Sequence, residues 1–280
     1  MTIDIGTYGV WRGAWQTDAV FAAEVERLGY ATLWIGGSPD GGLTIVDEAL
    51  EATSALKVAT GIVNVWKDPA DTVAASFTRI EASHPGRFLL GIGIGHPEAT
   101  TEYRSPYGVL VSYVDRLGEL GVPLDRVVLA ALGDKVLRLS ADRVGGAHPY
   151  LVTPEHTAHA RAVLGDGVLL APEHKVVVTN APGPTEASRA IGRPRVDKPY
   201  LGLVNYLNNL RRLGWTDADL ADGGSDALID ALVSQGNPQV VAAALAAHLA
   251  AGADHVVIQP LSDDPLAELA ALAPALGLTT

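Results

Sequence analysis

A single (β/α)8 TIM barrel of the α/β class is the architecture this sequence predicts, and three observations carry it. Apolar runs of strand length recur along the chain, each followed by a stretch with helical spacing, and that alternation predicts a parallel sheet with right-handed crossovers. The runs are apolar throughout rather than alternating, as strands covered on both faces are. The chain has 280 residues with no low-complexity linker and no close repeat, which is the length of one such barrel, 1–280.

Residues 3–10 form the first strand in this reading, with Trp11, Arg12 and Trp15 in the loop behind it. Thr17 caps a helix whose apolar positions Val20, Phe21, Val25 and Leu28 recur at helical spacing and stop at Gly29. The second strand, 31–35, runs into Gly36 and Gly37, and a helix follows over 44–56. Residues 58–66 read as a buried third strand interrupted by Asn64, and Asp68 and Pro69 open the helix that H-P-G at 84–86 closes. The fourth strand lies in R-F-L-L-G-I-G-I-G-H-P at 87–97, with Gly91, Gly93 and Gly95 leading to His96. A loop and a helix through Leu120 lead to a fifth strand at 126–132, a helix at 134–143 and an extended sixth strand at 147–152. Thr153 and Pro154 then stand at the cap and first position of a helix. Residues 168–170 are the seventh strand, meeting Glu173, and 176–178 continue in strand-like residues. Residues 182–252 read as a mostly helical segment between strands seven and eight, the eighth being 253–259, and a helix over 266–276 closes the chain.

Composition removes several functions. With no cysteine there are no disulfides, no thiolate nucleophile and no zinc-thiolate site. A formal charge of -12 argues against nucleic acid or an anionic membrane as partner. No apolar run reaches the roughly 18 residues of a membrane helix, and residues 1–15 lack a basic start before an apolar core. The expectation is a soluble, cytoplasmic protein acting on a small molecule. The histidines at 156, 159, 174 and 255 lack metal-ligand spacing, so no metal is expected.

In a parallel barrel the chemistry collects at the carboxyl ends of the strands. His96 stands there, with an imidazole that titrates near neutrality and can donate or accept a proton, or can satisfy backbone carbonyls. Gly93 and Gly95 either admit a ligand or allow close strand packing. Asn64 must find a partner, a ligand edge or a neighbouring backbone, because a buried unpaired amide costs about 1–3 kcal/mol. Thr153 offers a hydroxyl and free N–H groups at a helix start, which suits an anion or a plain cap. Glu173 is an acid or base at the mouth, or a partner of Lys175 or His174. Asn205, Tyr206, Asn208 and Asn209 form a polar cluster that lines a substrate cavity or pins its helix, and Trp11 and Trp15 wall the pocket or pack.

G-I-G-I-G-H-P after an apolar strand, T-G-I-V-N-V-W one unit earlier, and A-H-P-Y-L-V-T-P-E-H later resemble the luciferase-like (bacterial luciferase superfamily) flavin and deazaflavin oxidoreductases. More narrowly the chain is similar to the coenzyme F420-dependent class, down to L-G-L-V-N-Y-L-N-N-L-R-R-L-G-W. The resemblance implies a deazaflavin across the C-terminal mouth of the barrel and a non-prolyl cis peptide near Ile62, Val63 and Asn64, where the ring packs. It further implies a cofactor phosphate on backbone amides after the sixth strand, nearest Ala147, His148 and Thr153, and a homodimer. Gly93, Gly95 and His96 complete the cofactor contacts, His96 and Glu173 are the catalytic candidates, and Trp11, Asn205, Tyr206 and Asn209 are the substrate candidates.

Two departures stand out. Many relatives have an acidic residue and a histidine after the second strand, where this chain has Gly36 and Gly37, and many have an acid where it has His96. The implied activity is hydride transfer between F420 and a small organic substrate. An FMN-dependent monooxygenase and a non-catalytic flavin-binding barrel are the alternatives.

Overall fold

In the computed structural model the described residues are 4–95 and 105–278. The chain runs through β1 (Tyr8–Gly13), α1 (Ala19–Arg27), β2 (Thr32–Gly36), α2 (Thr44–Glu51), β3 (Lys57–Gly61), β4 (Val63–Asn64), α3 (Ala70–Ser83) and β5 (Phe88–Gly93). It continues with α4 (Pro106–Glu119), β6 (Val127–Leu129), α5 (Asp134–Arg143), β7 (Gly146–Ala147), α6 (Pro154–Leu164), β8 (Leu169–Leu170) and β9 (Glu173–Val178). The last part holds α7 (Glu186–Asp197), α8 (Val204–Arg212), α9 (Asp217–Leu220), α10 (Asp226–Leu232), β10 (Val233–Gly236), α11 (Pro238–Ala250), β11 (Val256–Pro260) and α12 (Pro265–Leu272).

All pairings are parallel, and the sheet closes on itself. β8 pairs with β7 through Leu169↔Gly146, whereas β9 pairs with β11 through Glu173↔Val257, and β11 pairs with β1 through Val256↔Tyr8. Since only Ala171 and Pro172 separate β8 from β9, one bent segment carries the ring from its sixth strand to its eighth. This is the (β/α)8 barrel, α/β in class, with its strands wrapped by helices.

Several boundaries differ from the sequence reading, each for a tertiary reason. The first strand is Tyr8–Gly13 and includes Trp11 and Arg12, because its ladder with β2 extends to Gly13↔Gly36. Asp18, not Thr17, caps α1: its carboxylate accepts from Phe21 N at 2.7 Å, while the Thr17 hydroxyl donates to Gly13 O at 3.0 Å. The third strand divides into β3 and β4 at a cis peptide between Gly61 and Ile62. The sixth strand is only Gly146–Ala147, and its partners β6 and β8 span only three and two residues. Glu173 lies inside a strand rather than after one, and the 182–252 segment is not helical throughout: β10 pairs with β9 through Val233↔Lys175.

Apolar side chains fill four regions, the smallest joining Leu137 of α5 and Ala160 and Leu164 of α6 to Ala147 and Leu170. The largest lies between strands and surrounding helices, with Val10, Leu33, Ile35, Phe77, Phe88 and Ile258 fully packed. Alternate residues of the same strands, Trp11, Trp34, Ala59, Leu89, Val128 and Val257, fill the barrel itself. A third group joins Leu203, Tyr206, Leu210, Leu228 and Ile229 of the helical segment to Leu151, Val177 and Leu261, so these helices cover the carboxyl ends of β7, β9 and β11. Among the described residues no helix is long and apolar enough to cross a membrane.

Candidate active site

The strand alternation that fills the barrel also decides which side chains reach its mouth. Trp34 of β2 forms a floor with two histidines. Its indole N–H donates to His255 Nε2 at 3.1 Å, which leaves His255 Nδ1 to donate to Gly6 O at 2.7 Å. His148, just beyond β7, stacks on Trp34 with ring centroids 4.3 Å apart, and its Nδ1 lies 2.7 Å from Ala171 O. A carbonyl only accepts, so Nδ1 carries the proton and Nε2 presents a lone pair that is buried without a partner among the described residues. Burial pushes both imidazoles down to about 4, so they are neutral at physiological pH.

On the side of β1 to β3 the lip is built from aromatic rings set against glycine. Trp11 Nε1 donates to Gly61 O at 3.2 Å, at the cis peptide. A Cβ at Gly36 would lie 1.9 Å from Trp11, and one at Gly37 would lie 2.0 Å from Trp15, so only glycine at these positions admits the two indoles. The Asn64 amide sits against Gly95, where a Cβ would be 2.6 Å from Nδ2, and its Oδ1 accepts from Trp66 N at 3.0 Å. Gly93 is crowded by Ala130 and Ile62, and Gly91 by Thr60 O.

On the opposite side the inward positions of β9 carry Glu173 and Lys175, both wholly buried, with Nζ to Oε1 at 3.0 Å. Lys175 Nζ also donates to Gln259 Oε1 at 3.0 Å and stands 4.0 Å above the Tyr150 ring, whose hydroxyl donates to the same Gln259 oxygen at 2.7 Å. The second Glu173 oxygen accepts from Leu151 N at 2.8 Å. Burial raises the Glu173 pKa and lowers that of Lys175, and each partner draws the other back toward its charged form. Tyr150, Tyr200 and Tyr206 continue as a chain of rings with centroids 5.4 and 5.0 Å apart.

Of these residues, Trp11 and Glu173 lie inside the barrel, His148 stacks on Trp34, and Tyr206 packs among the helices over the carboxyl ends of the strands. Ile62, Val63 and Asn64 adjoin the cis peptide, as the resemblance implies. Ala147 packs outward with Leu137, Ala160 and Leu170, and Thr153 caps α6 with its backbone alone, its Oγ1 buried without a partner. On α8, Tyr206 and Asn209 are buried while Asn205 is exposed; Asn209 Oδ1 accepts from Arg212 at 2.7 Å. His96 lies outside the described residues. Sequence reading offered Lys175 as a partner of Glu173, since two residues apart on a strand share a face, but missed Tyr150 and Gln259 as the rest of the unit.

A closed barrel whose inward polar groups gather at the carboxyl ends of its strands is the class of protein that this fold and site define. Residues 7–120 match the family model described as luciferase-like monooxygenase, and the whole fold is similar to that of solved oxidoreductases. An F420-dependent secondary alcohol dehydrogenase in complex with an F420-acetone adduct superposes with TM-score 0.73 at 14% identity, covering 99% of each chain. The coenzyme F420-dependent tetrahydromethanopterin reductase of Methanopyrus kandleri gives 0.72 at 13% identity, covering 98% of this chain and 99% of the other. The oxygenating constituent of the Pseudomonas putida diketocamphane monooxygenase, in complex with FMN, gives 0.65 at 16% identity, covering 95% and 96%. No curated protein matches the sequence.

Proposed function

We infer that this protein is an F420-dependent oxidoreductase moving a hydride between the deazaflavin and a small organic substrate. The observation that carries the reading is the pair of orphaned polar atoms on the segment after β7: His148 Nε2 and Thr153 Oγ1 at the start of α6, both buried and without partners among the described residues. Buried polar atoms are rarely left so, and a bound group supplies what they lack. The residues fit a cofactor with a flat ring and a phosphate-bearing tail. Thr153 Oγ1 and the free N–H groups of the first turn of α6 would hold the phosphate, with the helix dipole in favour. His148 Nε2 would accept a hydrogen bond from the ring or the substrate.

Bound there, the deazaflavin supplies a two-electron path to or from a carbonyl, imine, alcohol or activated alkene. The protein's part is placement and the proton. Trp11 and the glycines at 36 and 61 shape one wall, and the Glu173–Lys175–Gln259–Tyr150 network fixes the other while keeping its charges balanced. His96, three residues past β5 in the sequence, is the group we assign to deliver or remove the substrate proton, since Gly36 and Gly37 carry no ionisable side chain.

Two of the similar solved structures are F420 enzymes by their descriptions, and one binds FMN. Titration of the purified protein with F420 and with FMN tests the reading: saturation by F420 at micromolar concentration supports it, and FMN binding with no F420 response assigns a flavin monooxygenase instead.

A further inference from the structure

We propose that the substrate taken at this mouth is an uncharged molecule with a flat apolar face, held against Trp15 and Trp11. The inference rests on the functional reading above and adds a substrate class to it.

Trp15 is the most exposed large apolar side chain among the described residues, at 73%. Its position is nevertheless defined. The six-membered ring rests against Gly13 and Gly37, where a Cβ would lie 2.8 and 2.0 Å from it, so the chain leaves backbone with no side chain beneath the indole at both places. An aromatic surface that is placed by the fold and yet left to solvent marks a contact site. Trp11, in β1 behind it, is largely buried. Its ring lies 5.6 Å from Tyr150, which leads on to Tyr200 at 5.4 Å and Tyr206 at 5.0 Å. The result is a largely enclosed run of rings that begins behind Trp15.

Charge points the same way. The cations nearest Trp15, and Lys175 behind the run of rings, are already engaged, although Arg195 also acts on Lys175. Arg12 lies 4.4 Å over the Phe21 ring and donates to Gln16 O, Lys67 donates to Ser38 O beside Asp68, and Lys175 is paired with Glu173. A phosphate or carboxylate on the substrate would meet aromatic carbon where it needs a cation, whereas a neutral ring or fused hydrocarbon meets a complementary face.

Calorimetric titration with naphthol, cyclohexanol and glycerol phosphate tests this on the wild type, Trp15→Ala and Trp15→Phe, each with and without bound cofactor. Because Trp15 is exposed, its truncation leaves the fold in place, which a thermal melt verifies. Naphthol is expected to bind the wild type about ten-fold more tightly than Trp15→Ala, with Trp15→Phe near the wild type, and glycerol phosphate is expected not to saturate. Glycerol phosphate binding more tightly than naphthol, or equal naphthol affinity in wild type and Trp15→Ala, would overturn the proposal. So would a dimer that Trp15→Ala converts to monomer on gel filtration, since the ring would then belong to a contact between copies. If neither F420 nor FMN binds while naphthol binding still depends on Trp15, the cofactor reading fails and the substrate surface stands.

Discussion

The Trp11 indole occupies the space directly above Gly36, so closely that a side chain there would begin 1.9 Å from the ring. Gly36→Ala must therefore move Trp11 and break its hydrogen bond to Gly61 O. The expected cost is about 1–3 kcal/mol of stability, as for overpacking elsewhere, together with a red shift of tryptophan emission. Denaturant unfolding and fluorescence measure both. Adding Trp11→Phe to Gly36→Ala should restore part of the loss, and an unchanged melting temperature in the single variant would show that the indole does not hold this position.

Glu173 and Lys175 neutralise each other inside the barrel, with Gln259 and Tyr150 taking the remaining donor and acceptor capacity. Glu173→Gln leaves a buried ammonium without its counter-charge and should cost roughly 3–5 kcal/mol in urea unfolding. The double variant Glu173→Gln with Lys175→Met should recover most of that loss, because it removes both charges at once.

Burial holds His148, His156, His174 and His255 near 4, against about 6.5 in an unfolded chain. The native state keeps them neutral, so below pH 6.5 the unfolded state takes up protons that the native state does not. Stability from this source is complete above about pH 6.5 and is lost as the pH falls toward 4. Each buried imidazole should cost roughly 2 kcal/mol between pH 7 and pH 5. Unfolding at the two pH values measures the sum, and His174→Gln should flatten the profile by one such increment.

Thr153 caps α6 without using its side chain, so the hydroxyl is free for a ligand and dispensable to the helix. Thr153→Val should leave the melting temperature within experimental error while weakening a phosphate-bearing cofactor about ten-fold in a binding titration. Equal affinity in the two proteins would take Thr153 out of the site.

The alternation of strands and helices could be read from the chain because it depends on local pattern: α5 starts and ends where its spacing places it, β6 falls inside its apolar run, and β2 ends one residue past its own, at Gly36. What escaped depends on neighbours far away in sequence. Trp11 and Arg12 look like loop residues until the ladder with β2 carries the strand to Gly13. Glu173 and Lys175 look like the end of a strand because two charges interrupt it, yet they satisfy each other and Gln259 across the barrel. β10, V-S-Q-G, is too short and polar to announce itself and exists because β9 offers it an edge. At the site, Trp11 and Glu173 were nameable as side chains near strand ends, but the stacking of His148 on Trp34 and the clearance that Gly36 gives Trp11 are relations between strands.

A crystal structure grown with F420 tests the central claim most directly. The account predicts the deazaflavin ring in the mouth beside Trp11, Gly61 and His148, with its phosphate at the start of α6 within hydrogen-bonding distance of Thr153 Oγ1. A mouth that stays empty in F420-saturated crystals but fills with FMN, or a cofactor bound away from the carboxyl ends of the strands, would contradict it.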